Sequence, residues 1–144
     1  MEYALRDHTA DVAVEATGDS LADVFAAVAN GLAAASCDDV PTEEGERFSV
    51  SVTAESREAL LFDYLDELIY LRDVRAELPV DNRVERIDEP RSAEPEETDW
   101  KLEASARGVP LGSITAREIK AVTYSEMRLE RDDGRWLAYV VFDV

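Results

Sequence analysis

Apolar and polar positions alternate along several stretches of the chain and recur at helical spacing along two others, which predicts two strands, a helix, a strand, a second helix and then a run of strands. Residues 2–6 and 11–17 read as short strands. The second sets Val12, Val14 and Ala16 against Ala13, Glu15 and Thr17 before Gly18-Asp19 turns the chain. Ser20 with Asp23 three residues on is an acidic form of the capping box, and Leu21, Val24, Phe25, Val28 and Leu32 follow as one face of a helix. After a polar loop through Pro41, Glu43, Glu44 and Gly45, Phe48, Val50 and Val52 alternate with serines as a half-buried strand. The second helix starts near Ser56. Leu60, Leu61, Tyr64, Leu65, Leu68 and Ile69 form its buried face, with Asp63, Asp66, Glu67 and Arg72 off that stripe.

Further on, residues 80–88 form a weak strand interrupted by acids, and Glu89 to Asp99 reads as a solvated loop with two prolines and no aliphatic residue larger than alanine. Trp100, Leu102, Ala104 and Ala106 alternate, Gly108-Val109-Pro110-Leu111-Gly112 is expected to turn, and 117–130 reads as a long strand. Asp132-Asp133-Gly134-Arg135 is the clearest hairpin turn, because an Asp-Gly pair accepts the positive φ angles a tight turn requires. The last strand, Trp136 to Val144, is almost wholly apolar and is therefore expected to be central. This order describes a single domain over 1–144 of the α+β class: two helices packed on a mixed, largely antiparallel sheet, in two layers.

Composition narrows the functional classes. The 144 residues include 33 acids against 15 basic residues, a net charge of −18, and only Lys101 and Lys120 are lysines. Such a chain repels polyanions, since affinity for a phosphate backbone comes from Lys and Arg displacing counterions. Any part in RNA chemistry is thus expected to be indirect, through a protein partner. Acids scattered along the whole chain fit adaptation to high internal salt, where self-repulsion is screened. Cys37, the single cysteine, sits beside Leu32, Ala33, Ala34 and Ala35 and reads as a buried structural thiol that excludes an intrachain disulfide. The six glycines form neither a phosphate loop nor a dinucleotide fingerprint. No apolar run reaches the roughly 20 residues of a membrane-spanning helix, and the first residues lack a basic segment followed by an apolar one. A cytoplasmic protein with no membrane contact is expected.

Two places could carry chemistry. Asp7-His8-Thr9-Ala10-Asp11-Val12 sets the single histidine between aspartates where two strands connect, and reads either as a loop or cap or as part of a site. At the other end of the sequence, Asp143-Val144 offers a side-chain carboxylate and main-chain oxygens on adjacent residues, either solvated or compensated by a cation or a basic partner.

Together with Gly18-Asp19-Ser20-Leu21, the helix Leu60 to Tyr70, the run Ile119-Lys120-Ala121-Val122-Thr123-Tyr124 and the closing Phe142-Asp143-Val144, these segments resemble the signature of the archease family, in order and from end to end. The resemblance implies the archease fold and an accessory protein, not an enzyme, that activates an RtcB-type tRNA-splicing ligase by promoting its guanylylation and repeated turnover, and that can broaden its nucleotide use. It assigns a divalent cation to Asp11, Asp143 and Val144, calcium first, with magnesium or manganese as alternatives; hard oxygen donors suit those ions and not a closed zinc site. It also marks Lys120 as a contact to the partner or a phosphate, and Asp7 and His8 as residues that orient the Asp11 loop. The acidic 89–99 loop and the stretch from Val109 to Ser113 match the family poorly or not at all. Two rival readings are a stand-alone metal-dependent phosphoesterase and a chaperone-like interaction protein.

Overall fold

A computed structural model describes residues 2–8, 11–90 and 99–144, with backbone alone for residues 6–8. The central part of the acidic 89–99 loop, residues 91–98, lies outside the described residues, as do Thr9 and Ala10. Among these residues seven strands and two long helices follow the order β1(Glu2–His8), β2(Asp11–Gly18), α1(Leu21–Ser36), β3(Glu46–Ala54), α2(Arg57–Arg75), β4(Glu77–Asp88), β5(Trp100–Pro110), β6(Ala121–Asp132) and β7(Arg135–Asp143).

The α+β class holds, with two refinements. The strands divide between a four-stranded sheet ordered β1-β2-β7-β6 and a three-stranded sheet ordered β3-β5-β4, and every pairing is antiparallel. Alternation reports which side chains share a face but not which strand lies alongside, so one sheet and two look the same in the sequence. Both helices touch both sheets, and one apolar cluster joins Val14, Phe25, Leu61, Leu102, Val140 and Phe142. The near-apolar β7 is central, between β2 and β6.

Local signals account for the helix starts. Ser20 and Ser56 sit in extended conformation and accept from the backbone N–H groups of Asp23 and Ala59, each at 3.1 Å, which satisfies a donor the helix leaves open. Arg72 and Arg75 lie in the last turn of α2, where the dipole favours cations. Midway along α1, Gly31 lets the helix settle on the sheet, because a Cβ there would stand 2.5 Å from a Val14 methyl carbon. Cys37 is buried, and its thiol donates to the Asp39 carbonyl at 3.4 Å.

Three expectations change. First, β5 continues through Gly108 to Pro110, where the sequence suggested a turn; the chain turns one step later, in a 3-10 segment over Leu111–Ser113. A Cβ at 108 would displace the Glu77 carboxylate that packs there, and Pro110 ends the strand, where the missing donor costs least. Second, 117–120 precede β6 without strand structure. Third, Arg72 is not off the buried stripe of α2 but buried itself, at 6% exposure. Its guanidinium donates to the Ile119 carbonyl at 2.9 Å and to the Asp73 carboxylate, which compensates the removal of the charge from water.

Candidate metal centre

The register of the four-stranded sheet builds the candidate site. β1 and β2 pair so that His8 lies opposite Asp11 and Asp7 opposite Val12. The pairing of β2 with β7 then sets Asp11 opposite Asp143 and Val12 opposite Phe142, and β6 sets Ala121 opposite Asp143. One row across the sheet therefore reads His8, Asp11, Asp143, Ala121, although its members come from opposite ends of the sequence. Directly opposed residues of an antiparallel pair share a face with Cβ atoms about 4.5–5.5 Å apart. The Asp11 and Asp143 carboxylates are thus neighbours on one face, while Val12, Phe142 and Val122 lie buried in the core on the other.

Why this row forms is legible in the packing beneath it. Phe142, Val140 and Val14 are fully buried and Val12 nearly so, and these residues fix the register. A slip by one residue would drive Asp143 into the core and expose Phe142, a loss of about 1.5–3 kcal/mol for the phenyl ring alone. The apolar face thereby holds the acidic one in place.

Lys120 adjoins the row through the backbone. Its N–H donates to the Asp143 carbonyl at 2.8 Å, and its side chain is exposed. The preceding residue is the one whose carbonyl Arg72 holds, so a buried arginine of α2 fixes the segment that carries Lys120 beside Asp143. Arg72 is a positioning residue that the sequence reading missed. Its signal was weak: one charged residue at the helical spacing of the buried stripe, 4 positions after Leu68, and such residues are more often solvated.

What could this row hold? Asp11 is half-buried and Asp143 exposed, and among the described residues neither carboxylate has an ion-pair or hydrogen-bond partner. Two like charges face each other across the strands without compensation, an arrangement that costs stability unless a cation or a partner's basic group completes it. The donors available are carboxylate and main-chain oxygens, those of Val144 following directly after β7. That set fits a hard divalent ion with open positions for water or further ligands. Among the described residues no group of three or more His, Cys, Asp or Glu side chains is arranged to hold a metal, so the described side chains alone do not close the coordination sphere. The side chains of Asp7 and His8 lie outside the described residues, and only their register is fixed.

Comparison with known proteins is consistent along the whole chain. The family model for the archease protein family (MTH1598/TM1083) matches residues 3–144. Protein archease of Thermococcus gammatolerans is 39% identical over 142 residues, covering 96% of this chain and 95% of that one. Protein archease of Methanosarcina acetivorans is 34% identical over 146 residues, covering 99% and 96%. Among solved structures, the solution structure of Methanobacterium thermoautotrophicum protein 1598 superposes with a TM-score of 0.79 at 30% identity, covering 99% of this chain and 98% of that one. The crystal structure of an archease, possible chaperone, from Thermotoga maritima gives 0.63 at 25% identity, covering 96% and 94%.

Proposed function

The chain belongs to the archease family, and from that premise we propose that it activates an RtcB-type tRNA-splicing ligase in the cytoplasm by presenting a divalent cation on the Asp11–Asp143 row. The observation that carries this reading is the pairing of Asp11 with Asp143, two carboxylates opposed across strands with no basic residue between them among the described residues. Asp11, Asp143 and the main-chain oxygens of Val144 would hold calcium, with magnesium or manganese as substitutes, and the ion would polarise or neutralise phosphate oxygens at the ligase centre. An open-sided site of this kind leaves positions that the ligase or its nucleotide can fill.

The chain's own residues have distinct parts in this account. Asp11 and Asp143 set the charge of the site. Arg72, by holding the Ile119 carbonyl, keeps the exposed Lys120 side chain at the rim, where it can meet a phosphate or an acidic group of the ligase. Asp7 and His8 lie in the neighbouring strand and would orient the chain that leads into Asp11. The overall acidity disfavours contact with bare RNA, so action on RNA would run through the ligase.

The test is guanylylation of the cognate ligase by GTP in concentrated KCl, with and without this protein and with its Asp11→Ala and Asp143→Ala variants. Stimulation by the wild type that falls by about 10–100-fold in both folded variants is the expected result. No stimulation by the wild type would overturn the ligase reading, and metal-dependent turnover of phosphoesters by the protein alone would replace it with an enzyme.

A further inference from the structure

On the side of the molecule formed by α2 and β6, the ladder between β6 and β7 is interrupted. Thr123 pairs with Val141 and Arg128 with Tyr139, so four residues, Tyr124 to Met127, stand against Val140 alone. Within this bulge Glu126 takes a φ of 63°, the left-handed region that a non-glycine residue adopts at some cost. Bulges of this kind re-aim side chains. Here Tyr124 is turned onto Phe62 of α2, and the two rings stack with centroids 4.1 Å apart and planes 2° from parallel.

The stack lies at the edge of the core, which Phe62 packs against and Tyr124 does not. Tyr124 is 53% exposed, and Tyr70 and Val74, at 58% and 61%, lie on the outward stripe of α2 at whose start Phe62 stands. Along that stripe the apolar groups alternate with acids: Phe62, Asp63, Asp66, Tyr70, Asp73 and Val74 lie within about a third of the helix circumference at 100° per residue. Asp63, Glu55 and Glu58 also act on the Tyr124 hydroxyl, which burial first and then these carboxylates push above the ordinary phenol range. Among the described residues Asp63 and Asp66 have no basic partner.

Elsewhere the protein supplies its own cations to half-exposed rings. Arg75 lies 4.2 Å from the centre of the Phe48 ring, and Arg57 and Arg131 lie over Trp136. The Phe62–Tyr124 stack has the carboxylates that such a cation would pair with but no arginine over it among the described residues. A flat aromatic surface flanked by acids is complementary to guanidinium, which stacks on rings and bonds carboxylates through the same planar group. The carboxylates disfavour nucleic acid and an anionic membrane surface alike.

We propose that the Phe62–Tyr124 stack and the acidic, aromatic stripe of α2 form a docking face for an arginine-bearing segment of a protein partner. One arginine stacks on Tyr124 and pairs with Asp63 and Asp66, and apolar neighbours of the segment cover Tyr70 and Val74. This face is separate from the carboxylate row: Tyr124 is three residues along β6 from Ala121, about 10 Å at strand rise.

A synthetic peptide alternating Arg and Leu, and its counterpart with Lys for Arg, can be titrated into the full-length protein in 0.5 M KCl and followed by NMR. Residues 62–74 and 124–127 are expected to shift, with the Arg peptide binding at least several-fold tighter than the Lys peptide. Asp63→Asn with Asp66→Asn, both exposed, should weaken binding by about tenfold and leave the thermal melt intact, as should Tyr124→Leu. Asp38→Asn with Asp39→Asn, acids of the loop after α1 and not of α2 or β6, should leave it unchanged. Equal weakening by both acidic pairs, equal binding of both peptides, or no binding of either would overturn the proposal. The peptide titration involves no ligase, so its outcome is independent of the guanylylation test.

Discussion

At the hairpin end of the four-stranded sheet Asp132 faces Arg135 across a two-residue turn, and Arg57 and Arg131 cover the Trp136 ring; at the opposite end Asp11 faces Asp143 with no counter-charge among the described residues. The same three strands run through both ends, so the difference is not one of fold. Where the sheet serves only its own stability, opposite charges and cation–ring contacts close it. Where like charges are opposed, stability is given up, and the arrangement has a physical rationale only if something outside the chain completes it. The opposed carboxylates are therefore the end of the sheet at which we propose that function attaches.

Breaking the link between α2 and the carboxylate end should have the largest effect. Arg72→Ala removes a buried guanidinium and leaves the Ile119 carbonyl without its donor, and about 2–3 kcal/mol of stability should be lost in urea titration. Arg72→Lys should recover little, since a single ammonium cannot reach both Ile119 and Asp73 as the planar fork does. If Arg72→Ala unfolded like the wild type, the segment before β6 would be held by something else.

A second uncompensated polar group sharpens the contrast because it lies in the core, away from either end. The Tyr64 hydroxyl is fully buried without a hydrogen-bond partner among the described residues, beside Phe25 in a near-parallel stack. Tyr64→Phe should raise stability by about 1 kcal/mol. Burial also pushes the Tyr64 phenol above its ordinary value of 10.0. Above about pH 10 the unfolded chain releases this proton while the folded chain keeps it, so wild-type stability should fall with rising pH, by at most about 1.4 kcal/mol per pH unit from this group. Tyr64→Phe should remove that contribution; an unchanged alkaline slope would contradict it.

The smallest effect belongs to the hairpin end. Arg57→Ala removes one of two cations over Trp136 and should cost about 0.5–1 kcal/mol, with no consequence for cation binding at the far end. A change in cation affinity in that variant would mean that the two ends are coupled.

Much of this architecture was legible locally. Ser20 and Ser56 announced their helices, and Asp133-Gly134, both at positive φ, its hairpin, because each depends on chemistry within a few residues. The bulge at Tyr124 to Met127 left no such trace, since it contains no glycine and its left-handed residue is a glutamate. Likewise the buried Arg72 looked like a solvated residue, because its partner is a carbonyl that only the fold brings near. Asp11 and Asp143 were recognisable as a pair through family resemblance, whereas their opposition across β2 and β7 required the register.

Calorimetric titration of calcium into the protein at fixed KCl, comparing wild type with Asp11→Asn and Asp143→Asn, bears most directly on the carboxylate row. The account predicts one saturable site in the wild type that weakens at least about tenfold in each variant, while the variants themselves melt at the same temperature or slightly higher because the like-charge opposition is relieved. Identical heats in all three proteins, or variants that melt far below the wild type, would contradict it.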